Sequence, residues 1–125
     1  MTSEKYVRYL VHTVFPMTQT THLTTILLTH GHGDHAGGVT AILAEMKRLW
    51  RPTPKIFKRR ILHGHYSSFD YLCEDICEGQ SFIAEEANEM QVQDSNVEGK
   101  ARVVLRAVLS PGHTDDHVAF TLKVN

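Results

Sequence analysis

Residues 29 to 38 read Thr-His-Gly-His-Gly-Asp-His-Ala-Gly-Gly, which places His30, His32, Asp34 and His35 within six positions. This run restricts the architecture more than any other stretch, because three imidazoles and a carboxylate converge only on a well-defined turn. At the chain's own His and Asp frequencies, an H-x-H-x-D-H pattern arises by chance in about two chains per thousand of this length. Coincidence is therefore a weak explanation. On an extended loop residues i and i+2 point to the same side, so His30 and His32 both face one metal ion while Asp34 and His35 face a neighbouring position. Gly31 and Gly33 remove side chains that would crowd the ion and tolerate backbone angles that other residues resist. Neutral imidazole with carboxylate is a borderline donor set, so zinc is the default ion, with manganese and iron also acceptable. Three protein ligands plus one water describe a catalytic rather than a structural zinc site. The third imidazole is expected on another loop that follows a strand, and His113, after Ser110-Pro111-Gly112, occupies one.

The hydrophobic spacing supplies the elements around these residues. Residues 3 to 15 put Tyr6, Leu10, Val11 and Val14 at helical intervals, with Ser3 as a cap and Pro16 beyond the end. Leu23 to Thr29 reads as a buried strand that delivers the chain to His30. Val39, Ile42, Leu43, Met46 and Trp50 then follow i, i+3, i+4, i+7, i+11, and Pro52 and Pro54 close the segment, so a helix is expected over 36–50. Lys55-Ile56-Phe57 and Ile61-Leu62 suit short strands or extended loop, and the polar stretch Ala87 to Gly99 marks residues 66 to 100 as an insertion or mobile loop. The β-branched run Ala101 to Leu109 stops at the turn that presents His113, and Val118, Phe120, Leu122 and Val124 alternate as in a half-buried strand. With 125 residues, 42% hydrophobic and 22% charged, one packed domain is expected; disordered, collagen-like and coiled-coil classes are excluded.

Thirteen basic and fourteen acidic residues give a net charge of −1, which excludes a chain that binds nucleic acid by being basic overall. Yet Lys47, Arg48, Arg51, Lys55, Lys58, Arg59 and Arg60 fall in fourteen positions without an acid between them. Such a patch either tracks a phosphate backbone or is a solvated helix end and loop. Trp50 and Phe57 suit the core as well as base stacking. His63-Gly64-His65 reads as an exposed loop, and His12 and His22 as surface residues. Cys73 and Cys77, four apart, would align on a helix as buried apolar thiols rather than a redox pair. Two cysteines are too few for a disulfide framework and fit a reducing intracellular compartment. The segment Tyr6 to Phe15 is interrupted by Arg8 and His12, so no membrane span is expected. Glu4 and the scarcity of arginine argue against a targeting segment. His117 suits a structural role or one beside the substrate.

Thr29 to Gly38 resembles the first metal motif of the metallo-β-lactamase superfamily, and Pro111-Gly112-His113-Thr114-Asp115-Asp116-His117 resembles its second. The Asp-Asp-His ending makes the pair most similar to the beta-lactamase-like protein 2 group, described as mitochondrial endoribonucleases acting on single-stranded RNA. The resemblance runs from residue 6 to 124 and is specific in the two motifs. It implies an α/β fold, about one half of a two-layered αββα sandwich, cut at both ends. Opening strands would precede the Tyr6 helix, and a bridging aspartate and a last histidine would follow Asn125. It also implies that His30, His32 and His113 hold a first zinc, while Asp34 and His35 contribute to a second that is short of ligands and binds poorly. Asp34 is then a ligand or, with a single ion, a general base for the water.

The implied chemistry is attack of zinc-activated water on an electrophilic phosphorus or carbonyl, with backbone N–H groups at Ala36 to Gly38 adding affinity for an anion. Single-stranded RNA is the first expected substrate and partner. A glyoxalase II-like or acyl-carrier thioesterase applies the same chemistry to a carbonyl, and β-lactam hydrolysis stands third. A reading from another class is a catalytically inactive metal-binding fragment or interaction module, motivated by the missing bridging ligand. A sheet that stops at Asn125 would leave an unpaired edge and favour self-association. The expected compartment is the mitochondrial matrix or the cytoplasm.

Overall fold

The apolar spacing resolves into helices and two small sheets in a computed structural model of the protein, which describes residues 3–15, 23–61, 72–85 and 102–124. The first helical segment changes type along its length. α1, Ser3–Tyr9, passes into a π-helical turn, Leu10–Val14, where Phe15 N–H donates to Leu10 O at 2.9 Å, five residues back. Val7 and Val11 are buried, whereas Tyr6 and Val14, expected on the apolar stripe, are exposed.

β1, Thr25–Leu27, pairs in parallel with β2, Lys55–Phe57, with Ile26 opposite Ile56. A parallel pair needs a crossover, and the sequence between the strands supplies helices for it. The helix expected over 36–50 is α3, Val39–Arg48, shorter at both ends, and a further short helix, α2, Gly33–Ala36, precedes it across Gly37-Gly38. On α3, Val39, Ile42 and Met46 are buried, each contributing about 1.5–3 kcal/mol of transfer free energy. The helix ends in a Schellman arrangement in which Trp50 N–H donates to Lys47 O and Arg51 N–H to Met46 O. Trp50 sits at φ 57° and is 94% exposed, so it leaves the stripe that its spacing suggests.

The second sheet is antiparallel, in the order β3-β4-β5: Ser81–Glu85, Arg102–Leu109 and Val118–Val124. β3 lies in the stretch read as an insertion or loop and is the one strand of this sheet that the pattern missed. Along β5 the alternation is only partly realised, because Val118 is buried while Leu122 and Val124 are exposed. Ile61 is not in a strand. Leu62, His22, the His63-Gly64-His65 loop and the polar stretch 87–99 lie outside the described residues.

Three small apolar clusters form the core. Ile26 packs against the first two, under α1 and α3, and Phe57 joins β2 to the third, around Ile76, Ala107 and Val118. Cys73 is buried in the first cluster, but Cys77 is exposed and neither lies on a helix, against the expectation of two buried thiols on one helix face. The segment at Glu74 bridges to Phe57, and Val118 N–H at the start of β5 donates to Thr29 O at 2.8 Å. These links bring the end of β1 beside the β4–β5 turn. The basic run is broken up: Arg48 pairs with Glu45, Arg51 donates to Val11 O and Phe15 O, and Lys58 is buried. Among the described residues no helix is long and apolar enough to cross a membrane.

Candidate metal centre

β1 runs out at Leu27, the chain bends at Thr29, and His32, at φ −61° and ψ 148°, closes the stretch where α2 begins. His30 and His32 come together, with ring centroids 4.8 Å apart. The β4–β5 turn is closed by Ser110 N–H donating to His117 O at 3.0 Å, and it carries His113 to the same place. His113 Nε2 lies 3.1 Å from His32 Nδ1, and the His113 ring is 4.9 Å from that of His30. One ligand atom from each of His30, His32 and His113 falls within 4.8 Å of the others, so these three sequence-selected residues are brought together.

His30 is the centre of this group. It is 2% exposed, and its ring lies within about 5 Å of four other imidazoles, those of His32, His35, His113 and His117. Nδ1 is 2.9 Å from Thr29 Oγ1, whereas Nε2 is buried without a hydrogen-bond partner among the described residues. The tautomer with its proton on Nδ1 donates to the threonine and leaves Nε2 with a free lone pair. Burial, and then the neighbouring imidazoles beginning with His35, push the His30 pKa down, toward the neutral form that a cation requires. An orphaned, neutral, buried imidazole nitrogen beside two more imidazoles fits a borderline divalent ion.

The second pair is assembled only in part. His35 lies 4.2 Å from the His30 ring, but Asp34 is 79% exposed, with its carboxylate 3.5 Å from His35 Nε2. α2 begins at Gly33 and turns Asp34 outward, away from the three-histidine group. His117 bonds to Ser110 Oγ at 2.6 Å and so braces the turn. The N–H groups of Ala36 and Gly37, expected to be free for an anion, are taken by His32 O and Gly33 O.

Lys58, read in the basic run, and Asp116, read in the second motif, stand behind the histidines as a pair that the sequence did not foresee. Lys58 Nζ and Asp116 Oδ2 are 2.8 Å apart, at 3% and 5% residue exposure, and Gly31 N–H donates to the same Oδ2 at 2.9 Å. Burial pushes the Asp116 carboxyl up, but Lys58 and the Gly31 N–H outweigh it and hold the group at about 2. A Cβ on Gly31 would stand 2.9 Å from Lys58 Cε and 3.3 Å from Asp116 Oδ2. Glycine there leaves room for this pair, whereas a Cβ at Gly33 would meet nothing within 4 Å. The available signal was the period of two that puts Lys58 on the buried face of Ile56.

The chain is 37% identical over 101 residues to an atrochrysone carboxyl ACP thioesterase of Aspergillus novofumigatus, an alignment covering 81% of this chain and 23% of that protein. It is 32% identical over 109 residues to a lactamase-like protein of Trichophyton equinum, covering 87% of this chain and 25% of the relative. A lactamase-like protein of Emericella nidulans is 36% identical over 95 residues, covering 76% and 22%. The chain thus spans a quarter or less of the length of these curated relatives. No family profile matches it, and no solved structure does. The mixed α/β architecture is consistent with part of a lactamase-like fold. The chain is thus similar to lactamase-like proteins over most of its own length, and its His30-His32-His113 cluster could hold a metal ion.

Proposed function

We propose that the chain carries the metal-binding portion of a zinc-dependent hydrolase that cleaves acyl thioesters, of the kind borne by a carrier protein. The observation that carries the reading is the convergence of three imidazoles, with His30 Nε2 buried and unpaired. The substrate class rests on the thioesterase relative. His30, His32 and His113 would hold the ion. When bound there, it supplies Lewis acidity that activates water near neutral pH and polarises a carbonyl. Thr29 fixes the His30 ring through Nδ1, and Ser110 and His117 hold the turn bearing His113. His35, beside the His30 ring, and the exposed Asp34 next to it would contribute to a second ion, or Asp34 would accept a proton from water if it turned back toward the histidines.

The endoribonuclease reading draws no support from these relatives, and the basic run on which RNA would lie has Arg48, Arg51 and Lys58 engaged within the protein. Hydrolysis of an acyl-carrier thioester and of a labelled single-stranded RNA by the zinc-loaded chain decides between them. Thioester turnover that is lost in His113→Ala is expected. RNA cleavage without thioester turnover would overturn the proposal, and zinc uptake with neither activity would favour the metal-binding fragment.

A further inference from the structure

We propose that Lys58 and Asp116 are positioning residues for the metal centre, a buried ion pair that sets the His30-Gly31-His32 segment against the loop carrying His113. Three separate parts of the chain meet in this contact. Asp116 lies three residues after His113 on the same loop, Gly31 lies between the other two histidines, and Lys58 follows β2. One carboxylate oxygen, Asp116 Oδ2, takes both the Gly31 N–H at 2.9 Å and the Lys58 ammonium at 2.8 Å, and Lys58 Nζ also donates to Arg59 O at 3.0 Å. Gly31 and Asp116 are 85 positions apart in sequence, so the bond fixes a spacing that local structure does not.

Stability alone is a poor reason for such a pair, since desolvating two charges offsets most of their attraction and an apolar pair of the same volume often does as well. Geometry is the better reason. The carboxylate grips the backbone at the one residue between two ligands, and the space it uses is the space a Gly31 side chain would fill. Removing groups that orient metal ligands typically weakens metal affinity 10–100-fold.

The inference rests on reading His30, His32 and His113 as a metal site, and the test separates the two. Zinc affinity is measured on the whole chain by competition with a chromophoric chelator, alongside the visible absorption of the cobalt(II) form. The variants are Asp116→Asn, Gly31→Ala and, as a control on an exposed neighbour, Asp115→Asn. Asp116→Asn and Gly31→Ala are expected to bind zinc about 10-fold or more weakly, with a shifted cobalt spectrum, while Asp115→Asn matches the parent. Gly31→Ala keeps both charges and carries the test if Asp116→Asn does not fold. Affinities of both variants within twofold of the parent, with an unchanged spectrum, would overturn the positioning role while leaving the metal site intact. A parent chain that binds neither ion would overturn the site reading and this inference together.

Discussion

A buried imidazole nitrogen without a partner costs about 1–3 kcal/mol, and His30 Nε2 is in that position. The cost makes sense where a cation is to be bound, because a nitrogen already satisfied by the protein would have to break a bond first. His30, His32 and His113 were legible in the sequence because extended backbone carries i and i+2 to one side and the Ser-Pro-Gly turn marks where the third arrives. Asp34 and His35 were less so, since four helical residues starting at Gly33 redirect them. Lys58 and Asp116 were harder to read: beyond the period of two that sets Lys58 on the face of Ile56, a lysine among six other bases and one aspartate of a pair give no sign that they meet. Trp50 shows the opposite error. Its i+11 spacing points to the core, yet the helix closes at Arg48 and Trp50 takes the left-handed position where glycine is favoured. Trp50→Gly is therefore expected to raise unfolding free energy by about 1 kcal/mol, with Trp50→Ala within about 0.5 kcal/mol of the parent, measured by urea denaturation. A destabilised Trp50→Gly would contradict the exposed left-handed cap.

The first helical segment is held onto α3 by Val7 and Val11 against Ile42 and Met46, and by polar contacts at the rim. His12 Nε2 lies 2.8 Å from Glu45 Oε1, Arg48 Nε donates to Glu45 Oε2 at 3.0 Å, and Arg51 donates to Val11 O and Phe15 O. The helices were legible from spacing alone, but the π-helical turn was not, and Val7 is buried beside the expected Val11 while the expected Tyr6 and Val14 are exposed. The Arg48 hydrogen bonds, and then that of His12, hold the Glu45 carboxyl at about 2, below its usual 4.5, against a smaller opposing effect of burial. A folded-state pKa below the unfolded one stabilises above the unfolded value, and that contribution disappears as pH falls through the folded value. Stability is therefore expected to decline between about pH 4.5 and 2, and Glu45→Gln to decline less steeply over the same interval, in chemical denaturation at a series of pH values. Equal slopes for parent and variant would contradict this linkage.

At the scale of the molecule, the three-histidine group lies at the junction between a parallel pair of strands and an antiparallel sheet. The α/β class and most strands could be read from local pattern, because hydrophobic periodicity is a short-range property. β3 was missed because Ser81–Glu85 sits among polar residues and has only Phe82, Ile83 and Ala84 to mark it. The junction itself was beyond local reading, since it depends on Val118 N–H meeting Thr29 O and Gly31 N–H meeting Asp116, contacts between distant parts of the chain. The central claim is that two loops, brought together by that junction, supply three imidazoles to one ion. Native mass spectrometry of the zinc-equilibrated chain beside His113→Ala tests it most directly. One tightly held zinc per parent chain, lost in the variant, is the expected result; a zinc-free parent, or equal uptake by His113→Ala, would contradict it.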